Sequence, residues 1–473
     1  MEEKQLKVFE SDNIWLSITK MVVPALIAIL VMLIYNMADL IFVGQTGDTA
    51  QVAAVSVVSP IFSMIMAVAM LISGGGVVII AKDLGSKDMD HGRMTASICM
   101  WAAIILGAVL GALIIIFHNP LITFLGATED IKEYAKNYMI ILAVGAPFMM
   151  ISNMLGQVLR AEGAMKDGLI GNLLGTFTNI ILDPVFILGL NMGVVGAAIA
   201  TVIGNVLACT YYFIYMSKKA VVLNMDLKLA MKKPLYIFSI MGLGMPTAIS
   251  TLLSGLAGTF SNQLLARYGS DYIAANAAAG RVNLIIVMVL MGICMGAQPL
   301  LSYNYGARNL KKLSGVMKRL VILSVVVGAL TTIFVILFRS PIIGLFLKQE
   351  EVATLAKSIV TIVMFSSPFL GFFYLGTNYL QATGRAMQAT IISTLQKGVI
   401  LIPSLFILEA LFGFYGIVYA HVAADMISVV IALVFLLVAW KKTKKEFMEN
   451  KISPNTGISN DDINLDKNKA IAR

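Results

Sequence analysis

Long apolar runs, broken by short polar segments rich in Gly, Lys and Asn, recur about twelve times along the chain. Each approaches the roughly 20 residues that cross ~30 Å of hydrocarbon as a helix, which implies helices rather than barrel strands. The predicted spans are 17–43, 52–80, 95–117, 135–157, 168–190 and 193–216, followed by 236–265, 273–301, 318–338, 356–379, 388–411 and 414–440. A basic linker at 217–235, carrying Lys218, Lys219, Lys228, Lys232 and Lys233, separates the two sets. Polar segments at 1–16 and 441–473 flank them, and the second is expected to be disordered from about Glu446 onward.

The second set repeats the first. Pro147-Phe148 precedes L-R-A-E-G at 159–163 by the same distance at which Pro368-Phe369 precedes L-Q-A-T-G at 380–384. The loop G-S-K-D from Gly85 matches G-A-R-N from Gly306, Pro24 matches Pro246, and Gly193 and Gly196 match Gly413 and Gly416. Two halves of six spans that start on the same side are related by an axis along the membrane normal, an arrangement used by transporters with a cavity between the halves. The fold class is therefore an all-α polytopic membrane protein, twelve transmembrane helices in two six-helix lobes (17–216 and 236–440) about a pseudo-twofold axis.

Composition agrees: 59% of the 473 residues are hydrophobic, 13% are charged, and mean hydropathy is +0.87. The net charge of +9 comes from Lys and Arg in short loops and the tail, a positive-inside bias and not a nucleic-acid surface. Lys82, Lys87, Arg93, Arg160, Lys166, Arg308, Lys311 and Lys312 mark one face as cytoplasmic and place both termini there. The acidic start MEEKQLKVFESDN has no apolar stretch behind a basic one, so no cleaved signal peptide is expected. Three cysteines (Cys99, Cys209, Cys294) inside spans and three scattered histidines offer neither a disulfide framework nor a zinc pattern. No G-x-x-x-x-G-K-[ST] loop is present, which argues against ATP drive, and no polar domain suggests an enzyme.

Against this apolar background the carboxylates within spans stand out, because each costs about 2.5–3.5 kcal/mol on insertion scales unless it meets a partner or a wet cavity. Asp183 lies in span 5, with Asn179 one turn earlier on the same face; Asp39 lies in span 1, with Tyr35 one turn earlier. Helical rise puts Asp183 about 22 Å up from Gly168 and Thr201 about 12 Å down from Gly193, which is one level. Asp39, Asn179, Asp183 and Thr201 thus form a candidate oxygen-rich pocket. Two close carboxylates in low dielectric do not both ionise cheaply, so they would share a proton, or with amide and hydroxyl oxygens hold Na⁺. In the second half Asp39 corresponds to Ser261, Asp183 to Pro403 or Ser404, and Thr201 to His421, so the acidic pair is not a shared scaffold element.

The registered motifs P24…Y35-x-x-x-D39-x-x-x-V43-G44-x-x-G47, G-S-K-D/G-A-R-N, L-R-A-E-G, N179-x-x-x-D183-P184 and G193-x-x-G196-A-A resemble those of the multidrug and toxic compound extrusion (MATE) family, in its MepA-like subgroup. The resemblance spans residues 15–440. It implies export of amphipathic, often cationic drugs by antiport with H⁺ or Na⁺, from a bacterial plasma membrane, by a monomer without further cofactor. It also implies a cation site at Asp39, Asn179, Asp183 and Thr201 with Tyr35 nearby, and bending of helix 1 at Pro24. Other branches carry an important acid in span 7 or 10, and here neither has one. Arg281 and Lys397 are candidates to neutralise an acid or shape the cavity, and Asp425 to contribute to it; Met149, Met150 and Met288 are candidates for a pliable drug-contacting wall. A lipid-linked oligosaccharide flippase of the same superfamily is the alternative, though its relatives carry more cavity cations.

Overall fold

The computed structural model describes residues 7–44, 48–127, 129–344, 347 and 349–452, with the side chains of 32–41, 44, 49, 270 and 450–452 outside the description. Among these residues the protein is helical throughout. The first lobe comprises α1 (Ile14–Gly44), α2 (Thr49–Ser86), α3 (Met89–Ile116), α4 (Glu129–Ala161), α5 (Met165–Gly189) and α6 (Gly193–Lys219). The second comprises α7 (Tyr236–Leu265), α8 (Ser270–Gly306), α9 (Leu310–Gly344), α10 (Glu350–Val363 with Ser367–Ala382), α11 (Ala386–Phe412) and α12 (Phe414–Ile452). Eleven helices are long and apolar enough to cross a membrane unbroken, and α10 makes the twelfth as a pair bent by 50°.

That bend departs from the single span expected over 356–379. Met364–Ser366 interrupts the helix one turn before Pro368, which has no N–H to bond the Met364 carbonyl and whose ring crowds it. The last helix also runs twelve residues beyond its expected end at 440, to Ile452. There Tyr379 Oη donates to Thr443 Oγ1 at 2.9 Å and Arg385 Nη2 meets Glu446 Oε1 at 3.2 Å, so the start of the tail is docked on α10 and α11 rather than disordered. The tail from 453 lies outside the described residues.

Repeated sequence becomes repeated geometry. In G-S-K-D, Lys87 turns left-handed (φ 63°) and Asp88 caps α3 by accepting from His91 N at 3.1 Å. In G-A-R-N, Arg308 does the same (φ 51°) and Asn309 accepts from Lys312 N at 3.0 Å. Both loops end one helix with a left-handed residue and start the next with an Asx cap. Packing repeats too: a Cβ on Gly107 would stand 2.7 Å from Pro147 Cα, and one on Gly328 would stand 3.1 Å from Pro368 Cα.

The two lobes meet through α1 against α8, α7 against α2, and α2 against α8 on the pseudo-axis. At the lysine-rich end the contact is backbone on backbone, since a Cβ on Gly85 would lie 2.0 Å from Tyr303 O and one on Gly306 would lie 2.0 Å from Lys82 O. Toward the other end, Gly255 and Gly258 of α7 and Gly280 of α8 face open space. The lobes are thus in direct backbone contact on the lysine-rich face.

Candidate functional site

The hairpin of α5 and α6 builds the polar cluster of the first lobe. Positions 179 and 183 share a helix face, and the turn at Gly193, left-handed at φ 53°, returns the chain so that Thr201 comes level with them. Asn179 Nδ2 donates toward Asp183 Oδ1 at 3.4 Å and to Thr201 Oγ1 at 3.2 Å. Asp183 is fully buried, and Asn179 and Thr201 are 3% and 6% exposed. Asn179 Oδ1 is also buried and meets no hydrogen-bond donor among the described residues. Such an oxygen fits a proton on its neighbour or a small hard cation equally well.

Immediately after Asp183 the helix widens into a π-turn, Pro184–Gly189, closed by Leu190 N to Val185 O at 2.8 Å. Proline lacks an N–H and displaces the carbonyl one turn before it, which loosens the ladder beside the carboxylate. Single π-turns within α-helices concentrate at functional positions. The sequence-predicted trio Asn179, Asp183 and Thr201 is thus brought together. Tyr35 and Asp39 lie on α1, which packs against α5, but their side chains are outside the described residues.

A second polar cluster lies in the other lobe. Asp425 on α12 accepts from Gln396 Nε2 at 3.0 Å through Oδ1 and from Ser366 Oγ at 3.2 Å through Oδ2. Gln396 stands in another π-turn, Leu395–Ile400, and Ser366 in the break of α10. Lys397 is close enough to act electrostatically on Asp425 and on His421, and Asp425 acts likewise on Tyr374. Asp425 therefore belongs to a network inside its lobe, with Lys397 as nearby counter-charge.

The remaining expectations divide. Met149 and Met150 are 1% and 0% exposed and sit in the packed core of the first lobe, whereas Met288 is half-buried on α8. Arg281 is exposed on α8. Pro24 lies inside α1 without a break in its helical assignment.

The acid of L-R-A-E-G, Glu162, forms a further buried polar site outside the sequence-predicted set. Glu162 is fully buried and accepts from three successive backbone N–H groups of the linker, Val221 at 3.4 Å, Val222 at 2.8 Å and Leu223 at 2.7 Å. Burial pushes its carboxyl up to about 7, although these three bonds pull the other way. The sequence held one signal, since the repeat has Thr383 at this place and only the first lobe has a linker to hold.

The two matched halves of the chain, residues 24–185 and 246–407, each fit the model of the MatE family. The chain belongs to the MATE family. Multidrug export protein MepA of Staphylococcus aureus (strain MSSA476) is 31% identical over 436 residues, covering 92% of this chain and 96% of that protein. MepA of Staphylococcus saprophyticus is 30% identical over the same coverage. The fold matches the crystal structure of MATE in the straight conformation with TM-score 0.88 at 23% identity, over 93% of this chain and 99% of that one. An outward-facing multidrug resistance MATE family transporter matches with TM-score 0.87, also at 23% identity and the same coverage. Two MATE repeats account for the paired loops and paired glycines described above.

Proposed function

We propose that this MATE protein is a secondary active multidrug exporter, moving amphipathic and often cationic organic compounds out of the cytoplasm in exchange for inward H⁺ or Na⁺. The carrying observation is the buried cluster of Asn179, Asp183 and Thr201 beside a π-turn, an acid within the membrane whose neighbour Asn179 donates both to it and to Thr201. The names of the staphylococcal relatives support the drug-export part. Nothing comparable favours the flippase alternative. The lysine-rich face is assigned to the cytoplasm, by the positive-inside rule, in a bacterial plasma membrane.

In this reading the backbone contact at the lysine-rich end corresponds to a state closed toward the cytoplasm. Asp183, with Asp39 as its partner from α1, takes up a proton or Na⁺ from outside; Asn179 and Thr201 supply further oxygens if the ion is Na⁺. Neutralising the carboxylate removes the penalty of enclosing a bare charge, so the loaded site closes more readily than the empty one. Drug release outward and ion release inward are then coupled through differential stability of the two states.

The test is ethidium transport in proteoliposomes with imposed H⁺ or Na⁺ gradients. Wild type should accumulate ethidium against its gradient under at least one ion, and Asp183→Asn and Asp39→Asn should not. Gradient-driven transport by both variants at the wild-type level would refute the coupling assignment.

A further inference from the structure

A cavity of about 630 Å³ opens on the lysine-rich face between α1, the start of α5 and the end of α6. Its chemistry is divided. Lys20, Lys166 and Lys219 bring three ammonium groups to it, against one carboxylate, Asp167, which accepts from Tyr211 Oη at 3.1 Å. The first turn of α5 also borders it, and Ala164 at the cap position supplies no side-chain acceptor, so the leading N–H groups of a 19-residue α-helical segment add to the positive potential. Val8, Val23, Pro24 and Met165 make the walls apolar.

The apolar character continues toward the membrane interior. On α1, Val23, Ile27 and Leu30 are exposed at helical spacing; on α5, which packs beside it, Ile170, Leu174, Phe177 and Ile181 are exposed likewise. A free phosphate would explain the lysines and leave this strip without a role. A molecule with an anionic head and a hydrocarbon tail matches both, and basic pockets between helices at the cytoplasmic surface suit such headgroups.

We propose that this cavity binds an anionic glycerophospholipid of the inner leaflet, with its phosphodiester among Lys20, Lys166, Lys219 and the α5 N-terminus, and one acyl chain along the strip between α1 and α5. The assignment rests on reading the lysine-rich face as cytoplasmic. Because Pro24 forms part of the wall, the bound lipid touches α1 at the proline within it and favours one curvature of that helix.

The test is native mass spectrometry of the purified full chain titrated with phosphatidylglycerol, phosphatidylcholine or inorganic phosphate, a readout that involves no transport. Wild type should prefer phosphatidylglycerol over phosphatidylcholine by tenfold or more, at about fivefold per lysine engaged. The K20Q/K166Q/K219Q variant should lose that preference, and K441Q/K442Q/K444Q, with the same charge removed elsewhere on this face, should keep it. Val23→Trp fills the apolar wall with the lysines intact and should weaken phosphatidylglycerol binding severalfold. Equal loss in both lysine triples, an unchanged Val23→Trp, or displacement of the lipid by equimolar inorganic phosphate would each overturn the site.

Discussion

The two lobes carry polar clusters between corresponding helices, but they place the acid on opposite arms. In the first lobe the carboxylate is Asp183 on α5, and α6 contributes only the neutral Thr201 and Asn205, the latter accepting from Ser152 Oγ at 2.7 Å. In the second lobe α11 contributes the neutral Gln396, and the carboxylate is Asp425 on α12, at the place Asn205 holds in α6. Asp183 has the neutral amide of Asn179 beside it, whereas Asp425 has Lys397 near it. A carboxylate accompanied by a covalently attached cation needs no mobile one, so under the proposed function Asp183 marks the ion-accepting lobe and Asp425 the charge-balanced one.

The largest effect that tests this contrast is on coupling. One charge moving through 100 mV supplies about 2.3 kcal/mol, an accumulation ratio of about fiftyfold. Asp183→Asn should abolish that ratio for ethidium in energised proteoliposomes. Asp425→Asn preserves acceptance from Gln396 and a donor for Ser366, and should lower the ratio less than about threefold. If the two substitutions prove equally damaging, the lobes are functionally alike and the contrast fails.

A smaller effect follows from the donor that joins α5 to α6. Asn179→Ala removes the amide that bridges Asp183 and Thr201, which should weaken apparent affinity for the driving ion about fivefold to tenfold. The maximal rate at saturating ion should change little. Initial rates measured across a series of ion concentrations separate the two parameters, and a fall confined to the maximal rate would point to Asn179 acting in conformational change instead.

The smallest effect concerns Glu162, whose place in the second lobe is taken by Thr383. Its carboxyl lies at about 7 against an ordinary 4.5, so the folded state holds this proton more tightly than the unfolded one. Its contribution is fully present below the unfolded value and is lost as pH rises through about 7. Wild type should therefore lose thermal midpoint between pH 5 and pH 8 relative to Glu162→Gln, in which the amide oxygen still accepts from the linker but does not titrate. Parallel pH profiles for the two proteins would show that the linker strap does not titrate in this range.

Much of the candidate site was legible because it depends on local periodicity. A separation of four residues puts Asn179 and Asp183 on one face of any helix, and counting rise from the Gly193 turn brings Thr201 to their depth. Glu162 was not legible because its partners are 59 to 61 residues away, in a non-helical stretch of the linker. The methionines show the converse limit. Met149 and Met150 have the character of a cavity wall, yet they face the interior of their lobe, since hydropathy does not distinguish core, lipid and cavity faces of a membrane helix.

By itself the amino-acid sequence determined the twelve apolar spans, the twofold repeat and the depth of Asp183, because hydrocarbon thickness and helical rise leave little freedom in these. Tertiary structure alone decided that α10 breaks at Met364–Ser366, that π-turns accompany both polar clusters, and that Asp425 answers to Gln396 and Ser366. It also decided that the lobes seal where Gly85 and Gly306 let backbones touch. These are matters of which faces meet across distant parts of the chain, and packing between helices, not the pattern along any one of them, selects those faces.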